Sequence, residues 1–177
     1  MSSFRSHFFT KGFTVVEILI VITVIGILAG IILVNYNSSR NRANDVTVQN
    51  DLEAMSGQLE DYKTSSELNL TYPPDKPALQ TLNMHVTKSA YDTSIAVNVL
   101  YCVSSDRTTY ALVARSKSGN FFEVTQDGIQ NYTLGLAAFL NTSTICAAIN
   151  SNLTFVSNGW NSSDQTTGPW RAWVGGN

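Results

Sequence analysis

From Ile18 to Val34 the chain runs seventeen residues without a charge, and thirteen of them are Ile, Leu or Val. On a membrane-insertion scale each contributes roughly −0.3 to −0.6 kcal/mol, about −6 kcal/mol together, against about +3 for one acidic residue near the helix centre. With its flanks, Thr10 to Asn37, the stretch holds about 20 apolar residues, enough to cross a hydrocarbon core of about 30 Å. A removable secretory signal would have a shorter apolar run and a small-residue cleavage site after it, and neither is present. The segment is therefore expected to stay in the mature chain. Arg5, Lys11 and the amino terminus on one side face Arg40 and Arg42 on the other, a narrow balance favouring a cytoplasmic N-terminus. Insertion alone gives no reason for Glu17, the carboxylate at the mouth of the run.

Of 177 residues, roughly 110 to 140 remain for a water-soluble body, enough for one modest core. The net charge of −2 and 14% charged residues lack the basic footprint of a dedicated nucleic-acid binder. Cys102 and Cys146 lie well beyond the apolar run. In an oxidising compartment they would pair, closing a loop worth roughly 4 kcal/mol in the chain-entropy model; two separately buried thiols are the alternative, which sequence separation does not decide.

Lys11-Gly12-Phe13-Thr14-Val15-Val16-Glu17, leading into an unbroken apolar helix, resembles the class III signal of type IV pilins and pseudopilins. The likeness covers about the first thirty residues after Lys11: a short basic leader, Gly before the cut, Phe after it and Glu at the fifth position beyond it. The resemblance implies that a prepilin peptidase removes residues 1–12 between Gly12 and Phe13 and N-methylates the new Phe13 amine. Glu17 would then lie about one helical turn from that amine, and in a filament would neutralise the amine of a neighbouring copy and set axial register. Gly26 and Gly30 form a GxxxG pair that lets backbones approach, though small residues are common in membrane helices. The proline that many pilins carry further along this helix is absent from Ile31-Ile32-Leu33-Val34.

Beyond the membrane, Val48, Leu52, Met55, Leu59 and Tyr62 recur every three or four residues, with Asp51, Glu53, Glu60 and Asp61 largely off that stripe. One continuous helix is expected from Phe13 to about Lys63, roughly 75 Å at 1.5 Å per residue. Its membrane and assembly half is 13–36 and its amphipathic half 37–64, with Gly57 and the polar cluster from Asn35 to Asn44 as weak points. Pro73, Pro74 and Pro77 make 65–94 a connecting loop, with a short helix at Ala78 to Met84. Strand signals at Ile95 to Val103, Thr108 to Ser116 and Asn120 to Thr125 predict an antiparallel meander laid on the helix within a variable 95–177 region. Further on, "LGLAAFLNTSTICAAIN" reads as one or two short helices and "NLTFV" as a strand. The expected fold class is α+β, and the resemblance implies a pilin-like arrangement. Trp160, Trp170 and Trp173, in the tail, are either an exposed patch or cover for a core edge.

Without the leader, His85 is the sole histidine, so no multi-histidine metal site can form, and P-loop and dinucleotide fingerprints are absent. Paired acids such as Asp51 and Glu53 read as a solvated helix face. Asp127 and Asp164 could join a calcium site of the kind some pseudopilins have, although their spacing does not require one. No catalytic residue, metal or cofactor is expected. The expectation is a structural subunit of a type IV pilus or pilus-like filament, serving adhesion, motility or uptake. Its partners would be copies of itself, other pilins, the prepilin peptidase, the assembly platform and, as a monomer, the membrane. Nucleic acid is not expected along the whole filament, although Arg107, Arg115 and Lys117 could form a local patch. A type II secretion pseudopilin and a non-polymerising anchored binding domain are the alternatives.

Overall fold

The computed structural model describes residues 12–65, 70–95, 97–133, 135–142, 144–159 and 174–176. Helix α1 runs from Val15 to Ser65, 51 residues. It passes from a first compact unit ending at Ser39 into a second beginning at Arg40. Phe13 and Thr14, expected inside the helix, precede it, because Thr14 acts as its N-cap. Gly57 and the polar cluster do not interrupt it. In the second unit Val48, Leu52, Met55 and Leu59 of α1 are fully buried, which stabilises the helix by about 6 to 12 kcal/mol at 1.5 to 3 kcal/mol per side chain.

These residues pack on a five-stranded antiparallel sheet with the order β5-β4-β3-β2-β6. Its strands are β2 Val99–Ser104, β3 Tyr110–Arg115, β4 Phe121–Thr125, β5 Gly128–Asn131 and β6 Leu153–Asn158. Strands β2 and β3 are buried almost throughout, because both faces of the sheet are covered. Alternation sends Tyr101, Val103, Tyr110 and Leu112 toward α1. The intervening Leu100, Cys102, Ala111 and Val113 go to a second core with Phe139, Ile145 and Cys146. Those last three come from α3 (Gly135–Leu140) and α4 (Ile145–Ile149), the two short helices into which the C-terminal apolar run divides. Cys102 and Cys146 are joined, with Cα atoms 5.7 Å apart, so the cystine fastens α4 to the interior strand β2.

The three meander strands are shorter than the expected ranges: β3 and β4 lie within them, whereas β2 starts four residues later than expected and ends one residue beyond, at Ser104. Between β2 and β3, Asp106 accepts hydrogen bonds from the Ser104 and Thr108 hydroxyls at 2.6 and 2.9 Å, and Arg107 takes a left-handed φ of 58°. At Asp127-Gly128 the glycine supplies the φ of 110° that a side chain would resist. The short helix α2 is displaced toward the N-terminus, to Lys76–Gln80, because Asp75 caps it by accepting from the Ala78 N–H at 3.0 Å. Residues Met84–Val86 form β1, paired in parallel with β7, Val174–Gly176. This second sheet is absent from the sequence expectation: each strand has three residues, and the pairing joins distant parts of the chain. Polar contacts also hold α1 to the head, among them Ser56 with the Tyr110 hydroxyl at 2.6 Å and the Thr87 N–H donating to Asp51 at 2.7 Å.

Candidate functional site

The first unit is the opening half of α1, and its sequence dictates how it starts. Thr14-Val15-Val16-Glu17 is a capping box, Thr at the N-cap and Glu three residues on. The Glu17 N–H donates to the Thr14 hydroxyl oxygen at 3.2 Å, while the Glu17 carboxylate accepts the Thr14 N–H at 2.7 Å and the Thr14 hydroxyl at 2.8 Å. One carboxylate oxygen, Oε2, is thereby engaged within its own chain, and negative charge lies at the positive end of the helix dipole. Thr14 is the residue that sequence reasoning overlooked. Its signal, Thr-x-x-Glu directly before an apolar run, was there to be read.

Beyond this cap the helix has no polar side to turn to water. From Val16 to Ile32 its large apolar side chains are 48% to 63% exposed, which leaves no direction around the axis where they are covered. The Thr23 hydroxyl donates to the Leu19 carbonyl at 2.7 Å, so even this polar group is satisfied inside the helix. By length and composition α1 is able to cross a membrane. At Gly26 and Gly30 an added Cβ would meet nothing within 4 Å. In the isolated chain those glycines leave a shallow, unfilled strip on the helix. Gly12 and Phe13 precede the helix and are exposed, Phe13 by 83%. Residues 1–11 of the expected leader lie outside the described residues.

Of the expected basic patch, Arg115 is spoken for. It forms an ion pair with Asp92 and its guanidinium lies 5.3 Å from the centre of the Phe121 ring. Arg107 lies in the β2–β3 turn and Lys117 in the β3–β4 turn. Among the described residues no group of three His, Cys, Asp or Glu is placed to hold a metal ion. Asp164 and the three tail tryptophans lie outside the described residues. A broad open groove of about 680 Å³ in the second unit is lined by Arg42, Asp45, Val46, Gln49, Phe121 and Tyr132, among others. Asp45 is occupied there by the Asn120 amide at 2.8 Å and by the Ser118 hydroxyl. What the first unit offers chemically is thus an apolar helical surface with a carboxylate at one end.

No family model matches the chain, and no solved structure matches it. Among curated proteins it is 33% identical over 118 residues to the type IV wide pilus major component PilA4 of Thermus thermophilus, covering 66% of this chain and 82% of that protein. It is 36% identical over 72 residues to the type II secretion system core protein G of Klebsiella pneumoniae, covering 41% of this chain and 49% of that protein. The core protein G of Pseudomonas aeruginosa shares 31% over 72 residues. The chain thus spans about half the length of the secretion proteins it matches and most of the pilus protein.

Proposed function

The chain belongs to the family of type IV pilins and pseudopilins, and from that premise we propose that it is a structural subunit of a pilus-like filament. It inserts through α1 as a precursor with its N-terminus in the cytoplasm. A prepilin peptidase cuts it between Gly12 and Phe13, and an assembly platform draws it into a polymer whose centre is a bundle of α1 helices. The observation that carries this reading is the opening half of α1, apolar on every side and uncovered. In a bilayer lipid covers that surface, and in a filament the same surface of neighbouring copies does so. The longer match to a pilus component than to the secretion proteins favours a pilus. A type II secretion pseudopilin is the second reading, supported by the core protein G relatives.

Cleavage gives Glu17 its electrostatic task. It creates a cationic amine on Phe13, and an unpaired ion in an apolar bundle is costly. Within one chain that amine adjoins Thr14, whose N–H and hydroxyl both engage a single carboxylate oxygen, Oε2. In the filament, Glu17 answers the amine of an adjoining copy, and the requirement to pair fixes the axial register. Gly26 and Gly30 let the helices come close where this register is set.

Two measurements test the scheme. Mass spectrometry of the protein from its native membrane is expected to show a chain beginning at N-methylated Phe13; recovery of intact Met1 overturns the processing. Glu17→Ala is expected to insert and be cut normally yet yield few or no filaments by electron microscopy. Glu17→Gln separates the two roles of the residue, since an amide oxygen still accepts the Thr14 N–H but carries no charge. Filaments from Glu17→Gln in wild-type numbers would show that the cap, and not the charge, is what assembly needs.

A further inference from the structure

From Gly128 to Ser163 the chain carries no Asp, Glu, Lys, Arg or His, thirty-six residues in succession. This stretch builds β5, α3, α4 and β6, which include both edge strands of the sheet and the layer covering the face away from α1. Its described solvent-facing polar side chains are all uncharged, among them Gln130, Asn131, Thr133, Asn141 and Asn152. It also exposes Leu136, Leu140 and Phe155 at 39%, 44% and 36%.

The same stretch holds four of the chain's six Asn-x-Ser/Thr triplets: Asn131-Tyr132-Thr133, Asn141-Thr142-Ser143, Asn152-Leu153-Thr154 and Asn161-Ser162-Ser163. Asn131, Asn141 and Asn152 are described, and all three are exposed. Each stands at the border of an element: Asn131 closes β5, Asn141 follows α3 and Asn152 precedes β6. In two of the triplets the middle residue is an anchor. Tyr132 and Leu153 are 6% and 4% exposed, while the Asn before and the Thr after them face solvent. Backbone alternation at these sites pins the centre of the triplet in the core and leaves the acceptor amide outside.

We propose that this uncharged outer layer is a site of N-linked glycosylation, with Asn131, Asn141 and Asn152 as acceptors. The inference rests on the head lying outside the cytoplasm, as the proposed function requires. The sugar donor is an oligosaccharide held on a polyprenyl diphosphate. The Asn side-chain nitrogen forms a bond to the anomeric carbon, the bond from that carbon to the diphosphate oxygen breaks, and the lipid diphosphate leaves. The amide gives up one proton to a base of the transferase. The attached glycan supplies the hydration that the missing charges do not, and it covers Leu136, Leu140 and Phe155 on a surface repeated along a filament.

The test is mass spectrometry of the full chain from its native cells, intact and as chymotryptic peptides. Glycan masses are expected on peptides containing Asn131, Asn141 and Asn152. Thr133→Ala is expected to remove one glycan mass, that on Asn131, while the other two persist; Asn152→Gln is expected to remove the one at its own position. Unmodified masses for all three peptides overturn the proposal, as does an adduct on Asn131 that survives Thr133→Ala or one carried by a Ser or Thr. The N-terminal peptide is read in the same experiment. A chain starting at Phe13 with bare asparagines defeats this inference alone, whereas one starting at Met1 defeats the processing on which it rests.

Discussion

Glu17 and Asp51 show how the same kind of group is handled in the two halves of one helix. Glu17 sits at an exposed N-terminus, where the Thr14 cap and the dipole favour its charge. Asp51 is pressed against the head, and burial raises its pKa above the ordinary 3.8, with the Thr87 N–H pulling the other way. The folded state therefore holds the Asp51 proton more tightly than the unfolded chain does. Its contribution to stability is greatest at low pH and is lost as pH climbs from 3.8 through the folded value. Burial raises Glu123 in the same sense. Asp51→Asn keeps an oxygen for the Thr87 N–H and removes the charge. It is expected to raise Tm at pH 7, to change it little at pH 3.5, and so to flatten part of the decline between them. An equal loss of Tm at both pH values, by thermal unfolding of the detergent-solubilised chain, would contradict this account.

Among the elements, α1 does two jobs with one periodicity. In its second half the stripe Val48, Leu52, Met55 and Leu59 is the core of the head. Leu52→Ala removes a fully buried side chain and is expected to cost about 2 to 5 kcal/mol in a denaturant titration. Val46→Ala, at a position 54% exposed, should stay within about 0.5 kcal/mol. The layer of α3 and α4 is held differently. Its helices have six and five residues, too short to form alone, so their place depends on Phe139, Ile145 and the cystine. With the two cysteines 44 positions apart in sequence, replacing both by Ser should lower stability by roughly 4 kcal/mol. Hydrogen exchange should show protection falling first in α3 and α4, and a uniform fall across β3 and β4 would mean that the bridge holds the whole sheet.

At the scale of the whole molecule, the exposed half of α1 makes the isolated chain unfinished: lipid or other copies must cover it. Gly26 and Gly30 separate these two ways of completing it. Neither glycine has a neighbour within 4 Å of a built Cβ, so Gly30→Leu is compatible with the monomer and adds apolar surface for the bilayer. Membrane levels and cleavage are expected to hold, while filament yield falls at least tenfold if helices approach at that point. Normal filaments from Gly30→Leu would place the close contacts elsewhere on α1.

The primary structure by itself determined what is local and periodic. The run Ile18 to Val34, the Thr14-x-x-Glu17 start and the stripe from Val48 to Leu59 each follow from helical spacing and side-chain type, so the long helix and its two halves were legible. The meander was legible as well, through Asp127-Gly128 and the β-branched and aromatic residues of β2 to β4, with ends displaced where turns consumed more chain. Other features were decided only by the folded molecule. Parallel pairing of β1 with β7 depends on three-residue strands meeting across most of the head, and no local preference encodes that meeting. Union of Cys102 with Cys146 depends on α4 reaching the back of β2, since spacing along a chain does not measure distance through space. Burial of β2 and β3 on both faces likewise reflects two layers closing over the sheet, a packing result in which alternate side chains enter different cores.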